Sequence, residues 1–346
     1  MGRRKRIIYQ SQAVEITSPY LSGSLNGSGL GVVGVQSASY GIDVAREDAN
    51  QYGNLGAFNR VILEAPTSNG EFSFNLGGIG RTNMSGILDD AVKGSGVTPR
   101  FILDPTEGSD FDDANTNNVV ELVNSKLTSL SAEGSVGAVA TCTMGFEGTD
   151  LQYKTNTEDA KYKYGYSVTD SDAFDTISGA SNGLTAVTAD QITVSLGSAT
   201  AGSTQQHLIT SGHAQSASVS FDLGTEGLQA LGLAGDNKFQ YARVPSYPAT
   251  ATLSVESLAI DKGMSLQLSN LEQKASDGSA ESDGGFQNVS VKFGSNASTY
   301  TKFYLDNCTL DSLNFTSSIG DNATVDATFG VSIGGANSTS KLRIGQ

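Results

Sequence analysis

Tryptophan is absent from this 346-residue sequence, and histidine and cysteine occur only twice each. His207 and His213 lie in a polar stretch, and a catalytic triad or a zinc site would need further partners at defined geometry. The two cysteines, Cys142 and Cys308, cannot form the set of disulfides that staples small secreted domains. These shortages argue against a histidine-dependent hydrolase, a zinc protein and a disulfide scaffold.

Charge is also scarce and is mostly of one sign. Charged residues make up 16% of the chain, and the formal net charge is −15. A surface of this sign repels a phosphate backbone, so the sequence excludes an ordinary DNA-binding module but not a surface along which DNA slides without adhering. No run of about 18 apolar residues occurs, which predicts that no helix spans a membrane.

Two local motifs suggest ligand sites but fail on context. Gly29, Gly31 and Gly34 have the spacing of a dinucleotide-binding loop, yet the residues that follow alternate like a strand and do not begin a helix. The acidic run 104–113 lacks the sharp-turn glycine and the closing glutamate of an EF-hand, so a solvated loop is expected. The sequence therefore predicts no catalytic residue, no cofactor and no metal.

Period-two alternation of apolar residues predicts a strand-rich chain with one buried face per strand. The clearest runs are Ala38–Val44, Glu71–Leu76, Ala138–Met144, Ala217–Leu223, Ala251–Val255, Gln287–Phe293 and Ala323–Ile333. Three short helices are predicted from capping residues and apolar spacing, over 84–93, 116–127 and 225–233.

Two blocks of sequence recur in the same order. QSASYGIDV, from Gln36, returns as QSASVSFDL, from Gln215. LTSLSAEGSVGAVATCTMGF, from Leu127, returns as LDSLNFTSSIGDNATVDATF, from Leu310. Self-similarity of this kind predicts an internal duplication.

The expected fold is all-β, with two tandem related domains, each a β-sandwich or partly closed barrel with a short flanking helix. We expect a basic N-terminal segment at 1–10, a first domain at 11–148 and a second domain at 204–346. Residues 149–203 form either an insertion in the first domain or a small accessory unit.

The duplicated blocks, in an acidic chain rich in Gly, Ser and Thr, resemble the major tail tube proteins of tailed bacteriophages. The resemblance implies a non-enzymatic structural subunit that forms stacked rings around a negatively lined conduit for DNA ejection. A fused pair of domains would build a trimeric, pseudo-hexameric ring, since fusion leaves the rotation per domain unchanged.

The resemblance also implies partners and a location. The chain would bind copies of itself, the tape measure protein and the tail terminator or baseplate, with double-stranded DNA passing through unbound and no membrane contact. It would be assembled in the host cytoplasm and reside in the virion tail. Loops 45–57 and 224–237 are expected to contact the next ring, and residues 1–10 form either a contact arm or an isolated tail. The candidate inter-subunit residues are Arg3, Arg4, Lys5, Arg6, Arg46, Glu47, Asp48, Tyr52, Leu228, Leu231 and Asp236.

Other readings of the same composition stay open at this point. A capsid decoration, baseplate or surface-layer protein would share it. An adhesin module would usually show aromatic clusters, and the dense group Tyr162, Tyr164 and Tyr166 has the spacing of one strand face. An enzyme such as a β-helical hydrolase is the remaining alternative.

Overall fold

The computed structural model describes fourteen stretches of the chain. They are residues 12–18, 30–50, 52, 57–62, 66–76, 81–103, 118–154, 187–196, 214–228, 242–258, 287–294, 300–319, 322–334 and 342–345. The histidines, the acidic run 104–113 and the tyrosines at 162–166 lie outside these residues.

Alternating side chains make most of the described chain strand. In chain order the strands are β1 (Gln12–Thr17), β2 (Leu30–Val32), β3 (Val35–Asp43), β4 (Arg46–Asn50), β5 (Ala57–Ile62), β6 (Thr67–Asn75), β7 (Thr98–Leu103), β8 (Asn118–Val123), β9 (Lys126–Ser135), β10 (Thr141–Gly148), β11 (Asp150–Lys154), β12 (Ile192–Leu196), β13 (Ala214–Asp222), β14 (Thr225–Leu228), β15 (Ala242–Pro245), β16 (Ala249–Leu258), β17 (Gln287–Phe293), β18 (Thr301–Thr316), β19 (Thr324–Ile333) and β20 (Leu342–Gly345). One helix, α1 (Arg81–Val92), follows β6, and a 3-10 turn (Ala189–Gln191) precedes β12. The all-β prediction is confirmed.

A single antiparallel sheet runs through both halves of the chain. Its strand order is β3-β6-β10-β9-β13-β16-β19-β18, and only the second half of β18, Thr309–Thr316, belongs to it. We call these eight strands the long sheet. Its middle is the pairing of β9 with β13, which joins strands from opposite halves of the sequence.

Two smaller sheets lie over the long sheet. The first cover sheet has the order β11-β8-β7-β1-β2, and the second has β12-β17-β18-β20, in which β18 contributes its first half. Strand β18 passes from the cover sheet into the long sheet near Asn307, which has φ 55°. Two-stranded ribbons, β4–β5 and β14–β15, extend from the long sheet after β3 and β13.

The core lies between the long sheet and its covers. A side chain added at Gly70 on β6 would come within 2.9 Å of Leu122 on β8, so the two layers touch directly there. Phe72 and Phe146 stack in the first half with centroids 5.5 Å apart, and Phe293 and Phe303 meet edge to face in the second at 6.0 Å. All these rings belong to one buried apolar cluster that spans both halves.

The two halves of the long sheet have the same strand order, register and irregularities. Strand β9 bulges at Thr128 where it pairs with β10, and β18 bulges at Asp311, 183 positions later, where it pairs with β19. Asn124 and Asn307, also 183 positions apart, both adopt positive φ, at 49° and 55°. The cover strands β1-β7-β8-β11 and β12-β17-β18-β20 follow one order as well.

The helix predictions had mixed outcomes. Helix α1 confirms the helix expected at 84–93. The helix predicted over 116–127 is wrong, because residues 118–123 form β8 and residues 126–127 begin β9. The helix predicted over 225–233 is also wrong in its described part, since 225–228 form β14. The Gly-rich loop leads from β2 into β3 through a turn at Gly34, as expected for a strand-to-strand connection.

We expect matched effects at Asn124 and Asn307, because a branched side chain in the left-handed region costs roughly 1–2 kcal/mol. Asn124→Val and Asn307→Val should each lower the free energy of unfolding by about that amount, whereas Asn→Gly at either position should change it little. Urea denaturation measures both. Valine variants as stable as the wild type would contradict the left-handed conformation at these turns.

Candidate functional site

One face of the long sheet is polar along its whole width. Each strand alternates core residues with Ser, Thr, Asn, Gly or acidic residues, as on β16, where Thr252 and Ser254 flank the buried Leu253. The acidic residues of this polar face are Asp43, Glu71, Glu133, Glu147, Asp222, Glu256, Asp311 and Asp326. The face therefore extends without interruption across the β9–β13 junction.

Neighbouring strands share hydrogen bonds between hydroxyl groups on this face. The Oγ atoms of Ser37 and Ser73 lie 2.7 Å apart, and Ser220 Oγ lies 2.6 Å from Thr252 Oγ1. Ser254 Oγ and Thr328 Oγ1 form a third pair at 3.1 Å. Because these side chains are short and hydrogen-bond to one another, they project little from the sheet and leave few hydroxyl donors available to a molecule outside it.

The polar face carries its charge almost entirely as carboxylates. The eight strands contain one cation, Lys126 at the start of β9, whose ammonium group donates to the backbone carbonyl of Gly94. Burial lowers the pKa of this amine. On the second cover sheet, by contrast, Lys292 and Lys302 lie over the rings of Tyr300 and Tyr304, and Arg343 pairs with Asp306. The cover strands thus carry charges of both signs, whereas the strands of the long sheet carry mostly carboxylates.

Two carboxylates of the polar face lie directly opposite each other. Glu256 on β16 and Asp326 on β19 are register partners. Like charges at directly opposed positions destabilise an antiparallel pair. Ser216 donates a hydrogen bond to Glu256 at 3.3 Å, but neither strand supplies a cation. A repulsion kept inside a well-packed sheet suggests that the negative charge has a function.

The β14–β15 ribbon docks on the first half of the chain. Arg243 Nη2 lies 2.8 Å from Glu147 Oε1, and Nη1 donates to the Gly148 carbonyl at 3.4 Å. Thr225 also donates to Glu147, and the Tyr247 hydroxyl donates to the carbonyl of Val92 at the end of α1. Desolvation lowers the pKa of the Arg243 guanidinium, and the nearby Glu147 carboxylate opposes that shift.

The long sheet ends in two strands that have one described partner each. Strand β3 pairs with β6 alone, and Thr309–Thr316 pairs with β19 alone among the described strands. Tyr40 and Ile42 on β3 are 39% and 40% exposed, and Phe315 on β18 is 54% exposed. Apolar side chains of the core face are therefore uncovered at both edges.

The predicted inter-subunit residues fall partly on the ribbons. Arg46, Glu47 and Asp48 lie exposed on β4, Tyr52 is fully exposed in the turn beyond it, and Leu228 ends β14. Arg3, Arg4, Lys5, Arg6, Leu231 and Asp236 lie outside the described residues. In the register of the two ribbons, Arg46–Asp48 correspond to Thr225–Gly227, and Leu228 corresponds to Ala49. The inter-subunit role of these residues stays a prediction.

Sequence reasoning missed the polar face and the Arg243–Glu147 contact. The alternation that predicts each strand also predicts which of its residues face away from the core. Glu71 next to Phe72 and Glu133 next to Ala132 could therefore have been assigned to the outward face from the sequence. The order of the strands was needed to bring these acids onto one surface.

Within the described part of the chain, no cluster of His, Cys, Asp and Glu side chains has the arrangement of a metal site. No described helix has the length and apolar character needed to cross a membrane. Burial raises the pKa of both thiols, that of Cys308 to about 11, so neither is a reactive nucleophile.

Comparison with known proteins gives only partial, low-scoring similarities. No protein-family model and no curated protein matches the chain. Among solved structures, a chain in the tail of an empty GTA particle, refined helically with C6 symmetry, matches with 11% identity and a TM-score of 0.25, over 40% of this chain and 89% of that one. A chain in the sixfold-symmetrised baseplate of the anti-feeding prophage matches with 9% identity and a TM-score of 0.31, over 44% of this chain and 97% of that one. At these TM-scores the function has to be inferred from the geometry of the sheet itself.

We expect Asp326→Asn to stabilise the isolated protein, because it removes the repulsion from Glu256. The free energy of unfolding should rise by about 0.2–1 kcal/mol at low salt, and the gain should shrink in high salt. Asp222→Asn is the matched control, since Asp222 faces Thr250 and Ser129 on its neighbouring strands. Equal effects of the two substitutions in urea denaturation would contradict the repulsion.

Proposed function

We propose that the chain is a structural subunit of a phage-type tail tube, in which the polar face of the long sheet lines the conduit. The observation that carries this proposal is the continuity of that face, which runs across eight strands from both halves of the chain. The face has eight carboxylates and one tethered lysine, and Arg243 of the β14–β15 ribbon pairs with one of these carboxylates, Glu147. The protein acts through assembly and carries out no catalysis.

Electrostatics explains why such a face suits the passage of DNA. Duplex DNA carries one negative charge per roughly 1.7 Å of its axis, so cations on a wall would bind it and slow its movement. A wall of carboxylates and mutually bonded hydroxyls repels the duplex and offers few donors to its phosphates. The Glu256–Asp326 repulsion is then the local cost of keeping that wall negative.

The matching strand orders support a duplicated architecture. We assign one repeat to about 12–154 and the other to about 187–345, because β11 pairs with β8 and β12 pairs with β17. The stretch expected to be an insertion thus gives its two ends to the cover sheets. Two repeats per chain make a three-chain ring pseudo-sixfold, since each repeat supplies one rotation step.

The two ribbons are the proposed contacts between successive rings. Both leave the long sheet after equivalent strands, and Arg46, Glu47 and Asp48 on β4 are exposed. Tyr52 and Leu228 would take part in the same contacts, and the basic segment 1–10, with Arg3, Arg4, Lys5 and Arg6, would reach an acidic neighbour. Tape measure and terminator or baseplate proteins would contact the open ends of the tube, within the virion tail.

Negative-stain electron microscopy of the purified full-length protein tests the proposal. Three-chain rings and hollow tubes are expected, because each chain supplies two of six rotation steps. Mass photometry should give the trimer mass for the smallest ring. A monodisperse monomer, or shells and flat lattices, would favour a decoration or surface-layer role and overturn the tube.

Charge reversal on the polar face refines the same test. Glu71→Lys with Glu133→Lys should leave tubes that retain short duplex DNA at low salt and release it as salt rises. Asp150→Lys with Asp190→Lys is the control, since it adds the same charge to two exposed residues, one at the start of β11 and one in the 3-10 turn before β12. Equal retention by both variants would contradict the placement of the polar face in the conduit.

A further inference from the structure

The junction between the two halves provides a template for a second junction. Strands β9 and β13 pair antiparallel, with Glu133 opposite Ser218, Leu130 opposite Phe221 and Ser129 opposite Asp222. This pairing is closed at its ends by Val136 N donating to Gln215 O at 2.9 Å and Leu223 N donating to Thr128 O at 2.7 Å.

The two edges of the long sheet that have no neighbour among the described strands correspond to the two strands of that junction. Strand β3 has the same place in the first half of the sheet as β13 has in the second. Each strand has a β-bulge at a glutamine, Gln36 in β3 and Gln215 in β13. The Thr309–Thr316 part of β18 occupies the place of β9, with bulges at Asp311 and Thr128. One chain therefore carries both halves of a further junction, at opposite ends of its sheet.

Transferring the template register pairs these edges residue by residue. On the core face, Tyr40 meets Phe315 and Ile42 meets Leu313. On the polar face, Ser39 meets Thr316 and Asp43 meets Ser312. These pairs correspond to Val219–Ala132, Phe221–Leu130, Ser218–Glu133 and Asp222–Ser129 in the template.

The exposure of the edge residues fits a missing partner. Tyr40 and Ile42 are 39% and 40% exposed, whereas their counterparts Val219 and Phe221 are buried. Phe315 is 54% exposed, whereas its counterpart Ala132 is buried. Unpaired edges are usually protected by Lys or Pro, yet β3 and Thr309–Thr316 contain neither residue.

Charge gives a second, independent match. Arg60 on β5 holds the register position of Arg243 on β15, because each lies opposite the third residue of its ribbon's first strand. In the template, Arg243 pairs with Glu147. The position equivalent to Glu147 is Gly330, which has no side chain. The carboxylate of Asp311 occupies the space where a side chain at Gly330 would begin, because a Cβ atom added there would lie 2.0 Å from Asp311 Oδ2. A carboxylate is thus present in both places.

We infer that β3 of one chain pairs antiparallel with Thr309–Thr316 of a second copy, in the register Ser39–Thr316 and Asp43–Ser312, with Arg60 of the first chain paired to Asp311 of the second. The inference deepens the proposed ring, on which it rests, by specifying the residues that join its chains. Head-to-tail pairing of this kind repeats until the ring closes.

Cysteine cross-linking tests the register directly. In the template, Leu223–Thr128 and Gln215–Val136 are hydrogen-bonded pairs. Hydrogen-bonded and non-hydrogen-bonded pairs alternate along an antiparallel ladder, so the polar-face pairs between these two are non-hydrogen-bonded, with Cα atoms about 4.5 Å apart. That spacing suits a disulfide. Under mild oxidation, Ser39→Cys/Thr316→Cys and Asp43→Cys/Ser312→Cys should each convert most chains into covalent oligomers ending at a closed trimer. The native thiols are buried and should not contribute.

Exchanging the same four cysteines gives matched controls. Ser39→Cys/Ser312→Cys and Asp43→Cys/Thr316→Cys place the thiols about 14 Å out of register, so they should stay monomeric on a non-reducing gel. Within one chain the two edges are roughly 34 Å apart along the sheet, which rules out an internal bond. Equal cross-linking of matched and exchanged variants would overturn the register.

Electron microscopy of the same samples separates this inference from the ring proposal. Rings or tubes without cross-links in the matched variants would overturn the junction and leave the tube standing. Cross-linked open chains without rings would support the junction and overturn the tube. Absence of both rings and cross-links would overturn both.

Charge reversal tests the ion pair. Arg60→Glu should reduce ring formation at least tenfold at low salt, and Arg60→Glu with Asp311→Arg should restore it, because the pair is rebuilt with opposite signs. Circular dichroism of the single variant should match the wild type, which separates lost assembly from lost folding. Unchanged ring yield in Arg60→Glu, or failure of the double variant to recover, would refute the pairing of Arg60 with Asp311.

Discussion

The antiparallel pairing of β9 with β13 is the constraint on which the rest of the structure depends. It joins four strands from each half into one sheet and so places both polar faces on the same side. Its register is fixed by burial, because a slip of one residue would turn Leu130 and Phe221 out of the core and Ser131 and Ser220 into it. The same pairing places the β14–β15 ribbon next to β10, where Arg243 forms an ion pair with Glu147.

The unusual composition follows from a sheet that has to be apolar on one face and inert on the other. Ser and Thr are short, tolerate extended backbone and satisfy one another across strands, as Ser220 and Thr252 do. Their abundance leaves little room for charge, and the charge that remains on this face is acidic. Four phenylalanine rings, those of Phe72, Phe146, Phe293 and Phe303, fill the space between the layers.

The sequence predicted strands well where one face was buried, and failed for a strand with adjacent buried residues, β8, and for an exposed ribbon strand, β14. In β8, Val119 and Val120 are adjacent and both buried, so the apolar residues took on helical spacing and suggested a helix over 116–127. The ribbon strand β14 was mistaken for a helix because Thr225 resembled a cap and Leu228 and Leu231 lay three apart. The polar face could not be assembled from sequence, since Glu71 and Glu133 share a surface only through strand order. The repeat boundaries could not be predicted from the sequence either, because β12 occupies the place of β1 in its cover sheet although the two strands differ in sequence.

The two junctions differ in a way that matches their different demands. Within the chain, β9 and β13 are tethered, so their high effective concentration lets small side chains such as Ala132 and Val219 suffice. A junction between chains has to supply its own affinity, and the equivalent positions hold the larger Tyr40 and Phe315. The next pair offsets only a small part of this added volume, because Ile42 is smaller than its counterpart Phe221, whereas Leu313 and its counterpart Leu130 are the same residue type. Tyr40 already packs on Phe101 with ring centroids 4.7 Å apart, which fixes its ring before a partner arrives. An edge residue held in place in this way loses less conformational entropy on association, and association between chains is thereby favoured.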